Sequence, residues 1–189
     1  MSGKDHDSRY EFDINQYELG SVIGSGAYGT VYKAKEITTG KIYAAKILNN
    51  EIDYKTSRDN LRNLIREVVN MSKLNHPSVV KFIGFSPINY DNKLCPVIIT
   101  EYLPKSLKTL FEKEEEGLSE LDSTDKLKIL YGIASAMKYL HENDIIHRDL
   151  KLDNILLDDE KNPKVVDFGF SKCLNKTKID VSDSTDAYK

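Results

Sequence analysis

Residues 24–31, GSGAYGTV, set three glycines between two strand-like runs. Gly24, Gly26 and Gly29 match a G-x-G-x-x-G spacing. In a dinucleotide-binding unit the last glycine opens a helix, and an acid follows further on. Here Thr30, Val31 and Tyr32 come next, which is strand chemistry, so that fold is set aside. Two readings stay open. The segment is a flexible hairpin tip, or it is a lid whose backbone amides approach phosphates because no side chains block them.

The flanking pattern narrows the fold. YELGSVIG, GTVYKAKEI and KIYAAKIL are short runs rich in Val, Ile, Tyr and Ala, and TTGK between the last two is a hairpin signal. LRNLIREVVNMSKL repeats apolar residues at Leu61, Leu64, Ile65 and Val68, one face of a helix, with Thr56 and Asp59 placed to cap it. SVVKFIGFS and LCPVIITEYL read as two more strands. The expectation is an α+β chain that begins with a five-stranded antiparallel sheet interrupted by one helix. After Pro104 the texture turns helical. SLKTLFEKEEEG reads as a short helix running into a solvated charged loop. DSTDKLKILYGIASAMKYLHEN reads as a long helix with Leu127, Leu130, Ala134, Met137 and Leu140 on its buried stripe. Residues 1–16 read as a flexible N-terminal tail.

Composition excludes some functions. With 27 basic against 30 acidic residues the net charge is -3, which argues against a nucleic-acid or anionic-membrane footprint over the whole surface. No apolar run is long enough to cross a bilayer, so no membrane insertion is expected. Cys95 and Cys173 are far apart and form no ligand-like cluster; they read as free thiols of a reducing compartment, cytoplasmic or nuclear.

Lys46 follows Ala44 and Ala45 on the third strand, and alternation puts Ala44 and Lys46 on one face. A surface lysine on an edge strand is the usual fate of such a residue. Against it stands Glu67, an acid at the edge of the helix's buried stripe, which is costly there unless paired. Lys46 is an available partner, and the pair would hold the lysine extended toward a phosphate.

HRDLKLDN, residues 147–154, packs two acids, two bases, a histidine and an asparagine into one short loop pinned by Ile145-Ile146 and Ile155-Leu156-Leu157. Phosphoryl transfer to a hydroxyl needs a proton acceptor, a metal ligand and a cation near the moving phosphate. Asp149, Asn154 and Lys151 supply those three. Asp167, in VVDFGF, supplies an anionic second metal ligand. Hard oxygen donors of this kind suit magnesium, which keeps waters and shares substrate phosphates.

In this order, G-x-G-x-x-G-x-V, A-A-K, a helix Glu, H-R-D-L-K-x-x-N and D-F-G resemble the eukaryotic protein kinase family over the chain from Tyr17 to its end. The resemblance implies a kinase N-lobe over 17–103 and a partial, mainly helical C-lobe over 104–189. It implies ATP and Mg2+ as cofactors. Gly24, Gly26 and Gly29 would cover the phosphates. Lys46, held by Glu67, would contact the α- and β-phosphates, and Lys151 would steady the γ-phosphate. Asp149 would accept the hydroxyl proton; Asn154 and Asp167 would bind the metal. Val31, Ala44 and Leu156 would sandwich the adenine, with Thr100 behind the pocket and Glu101 to Leu103 as the hinge. Met71, Phe82, His147 and Phe168 would stack as a regulatory spine.

Lys151, two residues after Asp149, is similar to serine/threonine rather than tyrosine kinases, and the strings around residues 72–85, 99–107 and 133–158 resemble the tyrosine-kinase-like group. Arg148 implies control by activation-loop phosphorylation at Thr177, Ser182, Ser184 or Thr185. Protein substrates and an upstream activating kinase are the implied partners, in signal transduction. A full kinase domain is longer than 189 residues, and A-P-E is absent here. The chain is therefore expected to end inside the activation segment and to leave an apolar face of its long helix exposed. A catalytically impaired nucleotide-binding module and an interaction fragment are the alternative expectations.

Overall fold

The computed structural model describes residues 13–26, 29–48, 68, 71–91, 93, 95–118, 120–168 and 172–173. Strands β1 (Tyr17–Gly26), β2 (Gly29–Glu36), β3 (Ile42–Leu48), β4 (Phe82–Ser86) and β5 (Val97–Glu101) form one sheet. Their order is β1-β2-β3-β5-β4, and every pair is antiparallel, as the sequence predicts. Alternation sorts the side chains into two layers. Ala34, Tyr43, Ala45, Val97 and Ile99 are buried together on one side with Ile14 and Tyr17. On the other side Ile98 packs with Val68, a helical residue, and with Phe82 and Phe85.

Two expectations are corrected in this layer. The last residues of the supposed tail are ordered: Asp13 caps a 3-10 turn at Ile14–Gln16, and Ile14 is buried. SVVKFIGFS is not one strand, since Val79 bridges Val165 in parallel and the sheet strand starts only at Phe82. Val80 N–H donates to Val165 O, and Val165 N–H to Ser78 O, so residues 78–80 leave the upper sheet to join the lower one. The capping pair Thr56 and Asp59, and Leu61 to Ile65, lie outside the described residues.

Below the sheet come β6 (Lys105–Ser106), α1 (Leu107–Glu115), α2 (Ser123–Glu142), β7 (Ile145–Ile146), β8 (Ile155–Leu157), β9 (Pro163–Val165) and β10 (Lys172–Cys173). β6, β8 and β9 make a small antiparallel sheet, and β7 pairs with β10. The lower core gathers Leu103, Leu107, Leu110, Leu121, Ile129, Leu140, Ile145, Ile155, Leu157 and Val165. Each fully buried leucine or isoleucine there contributes about 2 kcal/mol of transfer free energy.

α1 continues through Glu115, so Glu112 to Glu115 are helix rather than loop. Ser106 Oγ caps it by accepting from Thr109 N–H, and Lys113 and Lys126 pair with Glu120 and Glu114, offsetting the run of like charge. α2 starts at a capping box formed by Asp122 and Asp125. Its buried stripe is Ile129, Gly132, Ala136 and Leu140. Leu127 and Leu130, expected inside, are 69% and 65% exposed, and Ala134 is exposed as well. The face turned inward instead carries Gly132. A Cβ there would lie 2.4 Å from Pro163 Cγ, so only the glycine face lets α2 press onto β9.

Candidate active site

β-register places four of the expected residues on one face of the sheet. Val31 lies opposite Lys46, Lys46 opposite Ile98, and Ala44 opposite Thr100. Val31, Ala44 and Thr100 are small or slim, while Ile98 stands across from the lysine and Lys33 lies opposite Ala44 on the same face. The Lys46 ammonium lies 2.5 Å from Asp167 Oδ1, with both side chains partly buried. Glu67, its expected partner, lies outside the described residues.

The three glycines of the β1–β2 connection are not equivalent. A Cβ on Gly29 would lie 2.5 Å from the Ile47 carbonyl oxygen, so glycine is required there by strand packing. At Gly26 a Cβ would meet nothing within 4 Å, and at Gly24 only Val31 Cβ at 3.9 Å. Among the described residues, protein packing does not account for those two. Ala27 and Tyr28 lie outside the described residues.

Beneath them, β7 and β8 pin the loop that carries Asp149. Asn154 sits in a 3-10 turn at Leu152–Asn154, and its Nδ2 donates to Asp149 O at 2.8 Å and to Asp149 Oδ2 at 2.9 Å. Both amide protons are thereby engaged, and Asn154 Oδ1 is left as an oxygen donor. Lys151 Nζ lies 3.0 Å from Asp149 Oδ2. The Lys151 ammonium holds the Asp149 carboxyl below the usual carboxylate range; partial desolvation opposes this, and the Asn154 amide reinforces it. In turn Asp149 raises the Lys151 ammonium above the usual lysine value. Asp149 is therefore ionised at neutral pH.

A chain of contacts joins the two halves. Val166 N–H donates to Asn154 O at 3.0 Å, and His147 Nε2 is 2.9 Å from Val166 O. Asp167 follows at once. Arg148 and Asp167 adopt φ of 65° and 61°, a left-handed backbone that costs on the order of 1–3 kcal/mol per residue. The fully buried His147 meets the Phe168 ring edge to face at 5.2 Å, and Met71, Phe82 and Phe168 pack in the same cluster. The four spine candidates thus lie in or against one core cluster. Gly169 and the acceptors Thr177, Ser182, Ser184 and Thr185 lie outside the described residues.

At the end of β5, Glu101 N–H is spent on Lys81 O, and Leu103 is buried in the lower core. Leu156 packs half-buried against that core opposite Lys164. Three residues here carry no sequence signal. Lys164 pairs with Glu101, Lys33 Nζ stands 5.0 Å from the centre of the Tyr102 ring, and Val166 offers its carbonyl to His147. None belongs to a recognisable string, because each acts through a contact between elements distant in the chain.

The donor set can be tested against a metal. Asp167 and Asn154 offer hard oxygens, and among the described residues no group of three or more His, Cys, Asp or Glu could hold an ion alone. That fits an ion completed by water and phosphate oxygens, as magnesium is, and does not fit a structural zinc.

A five-stranded antiparallel sheet with Lys46 on one face, followed by the loop that carries Asp149 and Asn154 and by Asp167 just after β9, has the architecture of the protein-kinase-like fold. A family model described as a protein kinase domain matches residues 17–189, and the chain belongs to that family. It is similar to the probable serine/threonine-protein kinase kinY of Dictyostelium discoideum, 35% identical over 184 residues, 90% of this chain and 30% of that protein. It is 41% identical over 171 residues to the serine/threonine-protein kinase PKH2 of Saccharomyces cerevisiae, covering 89% of this chain and 15% of that protein. With the human NUAK family SNF1-like kinase 1 it shares 37% over 165 residues, 87% of this chain and 24% of that protein. The chain spans less than a third of the length of these relatives.

Proposed function

We propose that this chain binds Mg·ATP between the five-stranded sheet and the 147–154 loop and transfers the γ-phosphoryl group to serine or threonine hydroxyls of protein substrates. The observation that carries the reading is the run of contacts Lys46–Asp167, Val166–Asn154, Asn154–Asp149 and Asp149–Lys151, joined by the Val166–Asp167 peptide bond. It supports the reading because a lysine, two carboxylates and an amide, the groups that phosphoryl transfer uses as cation, proton acceptor and metal ligands, belong to one contact network.

In this reading Val31, Ala44 and Leu156 enclose the adenine, Thr100 backs the pocket, and the backbone of 101–103 meets the adenine edge. Gly24 and Gly26 leave room for phosphates to approach the backbone. Lys46 exchanges Asp167 for the α- and β-phosphates, with Glu67 as its support. Asn154 Oδ1 and Asp167 hold Mg2+, which when bound offsets the charge of the triphosphate. Asn154 and Lys151 fix the Asp149 carboxylate, which takes the hydroxyl proton as the new O–P bond forms and the bond to the β-phosphate bridge breaks. Lys151 then faces the transferring phosphoryl group.

The same reading divides the domain at the hinge into 17–103 and 104–189. It makes an upstream activating kinase acting on the activation segment a partner. The strings noted around residues 72–85, 99–107 and 133–158 support placement in the tyrosine-kinase-like group. No helix among the described residues is long and apolar enough to cross a membrane, and the buried free thiol of Cys95 supports a cytoplasmic or nuclear location.

Asp149→Asn tests the chemistry. It keeps the hydrogen-bond pattern and removes the base, so Mg·ATP binding should persist while phosphate transfer to a generic protein acceptor falls about 10²–10⁴-fold. Transfer undiminished in that variant refutes the role. Binding without any transfer by the unaltered chain leaves a nucleotide-binding module instead.

A further inference from the structure

The side chain of Glu101 has an arrangement that adenine recognition by the backbone does not require. Its Oε1 accepts from Lys81 N–H at 2.7 Å and lies 3.4 Å from Lys164 Nζ. Glu101 N–H returns the bond to Lys81 O at 3.0 Å. The two charged side chains are only 27% and 16% exposed, so their attraction is less screened than that of a surface pair.

The location gives the pair its meaning. Glu101 ends β5, the last strand of the upper sheet. Lys164 is the middle residue of β9, in the lower sheet, opposite Leu156. Three residues beyond Lys164 stands Asp167. The same junction is stitched by Val80 N–H to Val165 O and by Val165 N–H to Ser78 O, at 3.0 and 2.9 Å. The backbone bonds tie residues 78–80 to β9, and the ion pair ties the end of β5 to β9 directly.

We infer that Glu101 and Lys164 are positioning residues that set the spacing between the two ends of the nucleotide site. This rests on the proposed ATP reading. One end of that site is the backbone of 101–103, which meets the adenine. The other is Asp167, which holds the metal on the phosphates. A ligand that reaches both ends must match the separation between them. A ligand that reaches only the first does not sense it. Without the ion pair, β9 and Asp167 sample a wider range of positions relative to the hinge, and only the longer ligand loses affinity.

The test compares Mg·ATP with adenosine on the full chain, by calorimetry or ligand-observed NMR, with thermal unfolding followed alongside. Lys164→Met removes the cation and leaves the Lys81 bond in place. Glu101→Gln removes the charge and keeps an acceptor for Lys81 N–H. Each should weaken Mg·ATP about three- to fivefold, the scale of a partly screened ion pair, while adenosine changes less than about twofold. Lys164→Arg should restore Mg·ATP binding. Equal loss for both ligands would mean a merely structural pair, and no loss for Mg·ATP would mean an idle one; either overturns the inference. If the unaltered chain binds no Mg·ATP, the nucleotide reading itself fails and carries this one with it.

Discussion

Lys46 and Asp167 make a direct ion pair, ammonium to carboxylate at 2.5 Å, across 121 residues of sequence. The proposed phosphate-binding cation and the proposed metal ligand thus neutralise each other. A divalent ion on Asp167 would compete with the ammonium, and triphosphate would give the ammonium another partner.

Two opposite effects of Lys46→Met follow. Mg·ATP should bind on the order of tenfold more weakly, because a charge-assisted contact to phosphate is lost. Mn2+ alone should bind more tightly than to the unaltered chain, because the cation in direct contact with Asp167 is removed. Calorimetry with each ligand checks the pair of signs. A loss of both affinities would contradict the competition.

Lys151 sets the proton affinity of Asp149. The Asp149 carboxyl is held below its usual value, so its charged form persists as pH falls through the ordinary carboxylate range and is lost only below it. Lys151→Met removes the foremost cause. The titration of Asp149, followed by carbon-detected NMR, should then move up toward that range, and the acid limb of any transfer activity should move with it. Lys151 itself should stay charged above the ordinary lysine range, since Asp149 raises it.

Alanine at Gly29 and at Gly26 should have different consequences. Gly29→Ala drives a Cβ to 2.5 Å from Ile47 O, backbone that cannot step aside cheaply, and should destabilise the fold by about 1–3 kcal/mol. Gly26→Ala has open space and should leave the unfolding temperature almost unchanged while weakening Mg·ATP. Chemical denaturation and nucleotide titration separate the two.

Gly132→Ala probes the contact that orients α2. Its Cβ would meet Pro163 Cγ at 2.4 Å, Pro163 Cδ at 3.0 Å and Ser78 Oγ at 3.0 Å. A proline ring has little freedom to yield, so denaturant unfolding should report a loss of about 1–3 kcal/mol. An unchanged midpoint would mean that α2 does not rest on β9 through this residue.

Much of the site was legible in one dimension because its parts are local. Strand alternation alone puts Ala44 and Lys46 on a shared face, and the register adds Val31 and Thr100. HRDLKLDN carries Asp149, Lys151 and Asn154 within six residues, so their meeting needs only a pinned loop. The five-stranded sheet was likewise readable, since glycine breaks and runs of β-branched and aromatic residues mark its strands directly.

Other features waited for the tertiary structure because they depend on which surfaces approach. α2 offers two apolar stripes, and hydrophobicity favours the one with Leu127 and Leu130. Burial went to the stripe with Gly132, which approaches Pro163 too closely for a side chain to fit between them. The bond of Lys46 to Asp167 and that of Glu101 to Lys164 join residues far apart in the chain, and nothing in the neighbourhood of either partner announces the other. Periodicity and local motifs determined which elements form and which groups carry the chemistry. Only packing, through distance and excluded volume, decided which faces meet and which charges pair.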